Sequence, residues 1–206
     1  MNIDFDDQRI LDIFKEIGNI GAGNALTSLA SILGKKVDMA VPQAKMVSFN
    51  EFSEIMGGSD NIIAGFLINI SGDLNGYMML VESLEEAKYM ANILNGSKEE
   101  KTGGQVEFSE MDISALSEIT NILSGSYISA LSGLTEFKMN SSVPYWAIDM
   151  AAAIISVPAM VYGEIGDHIL LVDASFRYEG KKVGGSLLLI LDYDSYEKML
   201  TKLLNI

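Results

Sequence analysis

Two pairs of polar residues are the strongest candidates for chemistry in this chain. Glu16 stands three residues before Asn19, Glu118 stands three residues before Asn121, and no other glutamate has an asparagine at this distance. Residues three apart on a helix are neighbours on one face. A carboxylate binds cations, whereas an asparagine amide donates and accepts hydrogen bonds but does not titrate near neutral pH. Both side chains of a pair can therefore meet a molecule outside the protein, and the amide can hold a water molecule; a general-base role for the glutamates is less favoured.

Both pairs belong to a longer pattern that occurs twice, 102 residues apart. Each copy consists of Asp or Ser, three residues, Glu, two residues, Asn, 22 residues and Pro. The copies are Asp12, Glu16, Asn19 and Pro42, and Ser114, Glu118, Asn121 and Pro144. A single Glu-x-x-Asn is a weak signal, but its repetition with the same flanking residues indicates an internal duplication. We expect Asp12 and Ser114 to support the pairs and the two prolines to fix the entry to a strand or turn.

Long helices are predicted around both pairs. Over residues 8–33 apolar residues recur at three- and four-residue spacing, which predicts an amphipathic helix that Gly34 ends. A second helix is predicted from Ser109, which forms a capping-box pattern with Asp112, to about Gly133. At 100° per residue the polar motif residues of each helix fall on one stripe, roughly opposite the apolar face. Both stripes should therefore point away from the core.

The other predicted elements follow in the same order in the two halves. In the first half, residues 61–70 and 76–81 flank the turn sequence SGDLN and predict a hairpin, before a shorter helix within residues 83–96. The second half is predicted to contain three stretches of strand and a final helix, within residues 151–162, 168–178, 184–191 and 194–204.

This order predicts an α+β fold with two halves, residues 1–98 and 99–206, whose boundary falls within a polar linker at 97–105. We expect the halves to be related by a pseudo-twofold axis in one compact unit. Their strands should share a largely antiparallel sheet, and the two long motif helices should expose their polar stripes.

Composition excludes several classes of function. A formal net charge of −14 disfavours nucleic acid and membrane surfaces as partners. The chain has no cysteine and one histidine, His168, so it offers no thiol nucleophile and no disulfide framework. Its first residues are acidic, unlike a signal peptide, and no apolar run reaches the ~20 residues of a membrane span. A cytoplasmic location is the simplest expectation.

At the two motifs the sequence resembles the CheC/CheX/FliY family of chemotaxis phosphatases, and the resemblance covers essentially the whole chain. It rests on the duplicated D/S-x3-E-x2-N-x22-P pattern and on the text EIGNIGAGNA; two intact copies favour the CheC type. The resemblance implies hydrolysis of the aspartyl phosphate on the response regulator CheY. The asparagines would orient the attacking water and the glutamates would dock a lysine of CheY. It also implies CheD as a partner and magnesium on CheY, with no cofactor bound by this chain itself.

Two other functions compete with this interpretation. Gly18, Gly21 and Gly23 suggest a phosphate-binding loop, but they lie inside a predicted helix and no Lys-Ser/Thr follows them. We expect Gly23 and its counterpart Gly125, both on the polar stripes, to let a partner approach, and the other two glycines to serve packing. The stronger rival is a non-catalytic adaptor that binds CheD or the flagellar switch through the same helices.

Overall fold

The computed structural model describes residues 8–39, 44–97, 106–162 and 169–204. Its helices are α1 Gln8–Leu33, α2 Phe49–Ile55, α3 Leu84–Leu94, α4 Glu110–Thr135, α5 Ala151–Tyr162 and α6 Tyr193–Leu204. Its strands are β1 Asp38–Met39, β2 Ala44–Val47, β3 Ile62–Gly72, β4 Gly76–Ser83, β5 Met139–Ser141, β6 Tyr145–Met150, β7 Ile169–Asp173, β8 Phe176–Tyr178, β9 Lys181–Val183 and β10 Ser186–Leu191. Residues 98–105 of the predicted linker, His168 and Pro42 lie outside the described residues, and the boundary between the halves stays a prediction.

The main sheet is antiparallel and symmetric about its centre. Its order is β2-β7-β10-β4-β3, with β5 and β6 both pairing with the outer edge of β3. Counted outward from the central pair β10 and β4, strand β7 occupies the position that corresponds to β3, and β2 occupies the position that corresponds to β6. One strand of each half therefore pairs with a strand of the other half: β2 pairs with β7, and β6 pairs with β3. The α+β fold with two pseudo-symmetric halves is confirmed.

The ends of corresponding helices in the two halves have the same geometry, which is further evidence of the duplication. Gly34 follows α1 with a φ of 61°, and Glu136, 102 residues later, follows α4 with a φ of 63°. Ser83 caps the N-terminus of α3, where its hydroxyl accepts from a backbone N–H, and an Asp192 carboxylate oxygen does the same at α6. The second pair is 109 residues apart because the small hairpin β8–β9 lengthens the connection between β7 and β10.

Helices cover both faces of the sheet. The larger core lies between the sheet and α1, α3, α4 and α6, with buried Phe14, Leu116 and Leu80 among its members. The smaller core lies on the opposite face, under α2 and α5, around Phe52 and Ile155. Alternate residues of each central strand enter opposite cores, as strand geometry requires. No helix within the described residues is long and apolar enough to cross a membrane.

The prediction of strand within residues 151–162 was wrong, because this segment is α5. A short apolar run is compatible with a buried strand or a buried helix, and periodicity alone does not separate them. The preceding strand β6 already occupies the edge of the sheet. The segment after it therefore packs on the face of the sheet as a helix, although it contains Pro158. Gly65 of β3 makes room for it, since a Cβ there would lie 2.9 Å from the Ile154 Cγ2.

Candidate functional site

The polar stripe of α1 is exposed, as predicted. Asp12, Glu16, Asn19 and Gly23 face solvent, whereas Ile10, Phe14 and Ile17 on the other side of the helix are buried. The second stripe repeats this arrangement on α4, with Ser114, Glu118 and Asn121 exposed and Leu116, Ile119 and Leu123 buried. Because α1 and α4 pack against each other on one face of the sheet, both stripes lie on the outer surface of that helix layer.

The Glu and Asn side chains of both motifs point away from every other described part of the chain. In the described residues no hydrogen bond or ion pair involves the side chain of Glu16, Asn19, Glu118 or Asn121. Two carboxylates and two amides are thus held on rigid helices with their polar atoms available to another molecule. Such an arrangement can dock a cation and orient a water molecule next to it.

The two residues expected to support the pairs differ in what they contact. Asp12 accepts hydrogen bonds from the Gln8 amide at 2.8 Å and from the Lys15 ammonium at 3.2 Å. These two contacts lower the pKa of the Asp12 carboxyl below its usual value, the Gln8 bond having the larger effect. The Ser114 hydroxyl makes no hydrogen bond within the described residues. Neither side chain contacts the neighbouring glutamate, so support through a direct hydrogen bond is absent in this part of the chain.

A buried polar network fixes the start of α4. The predicted capping box is confirmed: the Ser109 hydroxyl accepts from the Asp112 N–H, and the Asp112 carboxylate accepts from the Ser109 N–H at 2.8 Å. The same carboxylate also binds the Lys88 ammonium at 2.6 Å and the Asn95 amide at 3.1 Å. Burial alone would raise the pKa of Asp112, but the bonds from Lys88 and Ser109 outweigh it and lower the pKa. Sequence reasoning found the cap but missed Lys88 of α3 and Asn95, the residue that directly follows α3.

The glycines of α1 fall into two groups. Gly18 and Gly21 are buried, and a Cβ on Gly21 would lie 2.8 Å from two ring carbons of Tyr127 on α4. Gly21 therefore allows close packing of the two motif helices. Gly23 and Gly125 have nothing within 4 Å of a Cβ position, so packing does not explain them.

The remaining predicted site residues contribute no reactive group. Pro144 is half-buried in the short segment that separates β5 from β6, where the edge strand is interrupted. Its counterpart Pro42 is outside the described residues. Among residues 8–39, 44–97, 106–162 and 169–204, no three Asp, Glu or His side chains are grouped so that they could hold a metal ion.

Comparison with known proteins places this geometry in a family. The sequence model of the CheC-like family matches residues 10–46 and 111–145, which contain both Glu/Asn pairs and both prolines. The chain is 36% identical over 195 residues to the CheY-P phosphatase CheC of Bacillus subtilis, covering 94% of this chain and 93% of that protein. The chain belongs to the CheC-like family.

Two further relatives extend the family likeness to flagellar proteins. The flagellar motor switch phosphatase FliY of Bacillus subtilis is 26% identical over 133 residues, which are 65% of this CheC-like chain but 34% of FliY. The crystal structure of Thermotoga maritima FliY superimposes with a TM-score of 0.71 at 21% identity, covering 100% of this chain and 99% of that one. The structural likeness shows that this CheC-like chain and FliY share a fold.

Proposed function

We propose that this protein is a CheY-P phosphatase with two sites, one on α1 and one on α4. The observation that carries the proposal is the repeated, exposed and unpartnered Glu/Asn pair in a chain that aligns over 94% of its length with a CheY-P phosphatase. In each site the asparagine orients the attacking water and the glutamate docks a lysine of CheY. Since the substrate is a cytoplasmic signalling protein, the proposal includes a cytoplasmic location.

In the proposed reaction the main task of this chain is to position the attacking water relative to the phosphoryl group. The water oxygen forms a bond to phosphorus while the bond from phosphorus to the CheY aspartate breaks, and the carboxylate leaves with the electron pair as inorganic phosphate forms. An amide held on a helix orients the water molecule in advance, so the water loses less orientational entropy when it reaches this geometry. The magnesium ion that assists phosphoryl transfer belongs, in this proposal, to CheY.

The glutamates would supply the binding interaction. A charge-assisted hydrogen bond between a carboxylate and an ammonium is stronger than a neutral one and sets the distance between the two proteins. Glu16 lies one helical turn from Asn19, and Glu118 lies likewise from Asn121, so a lysine bound by the glutamate places the phosphoryl group close to the amide. Gly23 and Gly125, open on the same stripes, leave room for the backbone of the partner.

Single-residue variants test the asparagines directly. Asn19→Ala and Asn121→Ala should each remove one site, and the double variant should slow dephosphorylation of CheY-P by on the order of 10²-fold while it still binds CheY-P. Loss of phosphate from CheY-P in the presence of magnesium is the readout. Asn24→Ala, another exposed asparagine of α1 off the stripe, is the matched control and should keep full activity.

The adaptor interpretation predicts a different outcome. A protein that only binds CheY-P or a switch component would not accelerate loss of phosphate, and the double asparagine variant would behave like the unchanged chain. Decay of CheY-P no faster than the regulator's own rate would reject the phosphatase proposal and leave the adaptor.

We further propose CheD as a second partner, which binds the surface formed by the edge strand β6 and by α5. This edge surface consists of large apolar residues that are exposed: Val143, Tyr145, Trp146, Ile148, Met150, Val157 and Met160. A groove of about 370 Å³ between β6 and α5 lies within it. Exposed apolar surface of this extent is characteristic of protein interfaces. Tyr145 pairs with Leu67 and lies on the sheet face that α5 covers, whereas Trp146 pairs with Phe66 of the larger core and lies on the other face. CheD bound on the α5 face, opposite α1 and α4, would leave both polar stripes accessible.

Two exposed residues of the edge surface test this partner. Tyr145→Lys and Met160→Lys should weaken CheD binding at least tenfold in a calorimetric titration, without slowing hydrolysis of CheY-P. Unchanged CheD affinity in the double variant would reject the proposed surface. The Asn19→Ala, Asn121→Ala double variant should bind CheD as tightly as the unchanged chain.

A further inference from the structure

An exposed methionine lies in line with the second Glu/Asn pair. Met111, in the first turn of α4, has 67% of its surface exposed. It precedes Glu118 by seven residues, so it lies two helical turns away on almost the same line, about 10 Å along the axis. A large apolar side chain so exposed, on the stripe that would meet a partner, is available to be buried by that partner.

The backbone around Met111 is held in place. Its neighbour Asp112 binds the Ser109 N–H and hydroxyl, the Lys88 ammonium and the Asn95 amide. Four contacts to one buried carboxylate fix the first turn of α4 to the end of α3. A side chain presented from a rigid turn loses less conformational freedom on binding than one on a loose segment.

The first site has different chemistry at the corresponding positions. Arg9 takes the place of Met111, and Lys15 takes the place of Ser117 beside the stripe. In the first site Lys15 is paired with Asp12, whereas in the second both corresponding residues are serines. A partner that brings a lysine to the glutamate therefore meets two exposed cations around Glu16 and no cation on the stripe of Glu118.

We infer that Met111 is an apolar anchor for phosphorylated CheY and that the second site binds this partner more tightly than the first. The inference rests on the proposed function, because it takes the Glu/Asn stripe as the surface that CheY-P meets. Met111 acts in binding and contacts no reacting atom, so its effect falls on KM and leaves kcat unchanged.

Proteins with one site each provide the test. Glu16→Ala with Asn19→Ala leaves only the second site, and in that protein Met111→Arg should raise KM for CheY-P about tenfold. Met111→Leu should restore the original KM. Glu118→Ala with Asn121→Ala leaves only the first site, and there Arg9→Met should lower KM several-fold. Ile55→Arg, on an apolar side chain that is 42% exposed at the end of α2, is the matched control and should leave KM unchanged.

Binding without hydrolysis separates the two proposals. CheY activated by beryllium fluoride, a mimic of the phosphoryl group, should bind the Met111→Arg protein about tenfold more weakly by calorimetry. Weaker binding with no hydrolysis in any variant would reject the phosphatase proposal and retain the anchor. An unchanged Kd and KM for Met111→Arg, or tighter binding at the first site than at the second, would overturn the anchor even if the protein is an active phosphatase.

Discussion

The two motif helices agree on their outer surface and differ where they contact the rest of the molecule. Both expose Glu and Asn at corresponding positions of the stripe, followed by a glycine that is exposed in α1 and half-buried in α4. Inside, Gly21 and Ala25 of α1 correspond to the larger Leu123 and Tyr127 of α4, and the Tyr127 ring packs on Gly21. A duplicated helix pair can pack asymmetrically in this way, with small residues on one helix making room for large residues on the other. The shared polar residues have no such packing role, which points to a partner outside the chain.

The central strands show a second difference between the halves. Glu82 of β4 corresponds to Leu191 of β10, and both are buried on the side of the larger core. Neither oxygen of the Glu82 carboxyl has a hydrogen-bond partner in the described residues. Burial, and secondarily the Glu86 carboxylate, raises the pKa of Glu82 to about 8. The first half thus contains an unpaired acid where the second half has an apolar side chain.

Removing that acid should give the largest change in stability. The pKa of Glu82 is about 8 in the folded chain and near 4.5 when unfolded, so the folded state keeps a proton that the unfolded state loses. Between these values the free energy of unfolding should fall with rising pH by roughly 1 kcal/mol per pH unit. Glu82→Gln cannot ionise and should abolish this decline, with a gain of roughly 3 kcal/mol at pH 8.

Urea unfolding at pH 5, 6.5 and 8 measures this effect. Glu85→Gln, which changes an exposed glutamate at the start of α3, is the control and should leave the pH dependence in place. Glu82→Leu introduces the residue of the other half and should also remove the dependence. A decline with pH that persists in both Glu82 variants would show that the buried carboxyl is not its source.

Substitution of Asp112 should have a smaller effect of opposite sign. Ile10 occupies the corresponding position of α1, where the helix begins against apolar neighbours. Asp112→Ala removes a capping box and leaves Lys88 and Asn95 without their acceptor, which should cost about 2 kcal/mol of unfolding free energy at pH 7. Ser114→Ala, on the exposed face of the same helix, should change it by less than about 0.5 kcal/mol.

The effect of pH on that loss follows from the lowered pKa. A carboxyl whose pKa is lower in the folded chain stabilises it fully above the unfolded value near 3.8 and loses this contribution as pH falls through the folded value. The difference between Asp112→Ala and the unchanged chain should therefore shrink below pH 4, as measured by urea unfolding. A difference that stays constant from pH 7 to pH 3 would contradict the ionic part of this account.

Local signals carried the sequence predictions that succeeded. Helical periodicity and caps located α1 and α4, SGDLN located the β3–β4 hairpin, and the repeat predicted the two-half fold. The predictions that failed or were never made depend on distant contacts. Strand exchange between the halves, α5 in place of a strand, and the Lys88 and Asn95 contacts to Asp112 all join segments far apart in sequence. The roles of the Glu/Asn pairs stay predictions, since these side chains contact no partner among the described residues.

The finest test of the difference between the two faces of α1 uses one substitution at two glycines. An alanine should add up to about 1 kcal/mol of stability in an open helical position. Gly23→Ala meets this condition, because nothing lies within 4 Å of its Cβ. At Gly21 the same Cβ would lie 2.8 Å from the Tyr127 ring and 3.1 Å from the Tyr127 Cα, so the helices must move apart. We expect Gly21→Ala to destabilise by about 1 kcal/mol.

Thermal and urea unfolding of the two variants should thus give opposite signs for the same chemical change two residues apart. Gly21→Ala combined with Tyr127→Ala should recover the helix gain, because the ring that opposes the new methyl group is gone; the comparison is with Tyr127→Ala alone. Gly23→Leu adds the partner to the test: it should leave stability intact and weaken binding of beryllium fluoride-activated CheY at the first site. If Gly21→Ala were as stable as Gly23→Ala, close packing would not explain Gly21. If Gly23→Leu bound CheY normally, the open glycine would serve neither packing nor the partner.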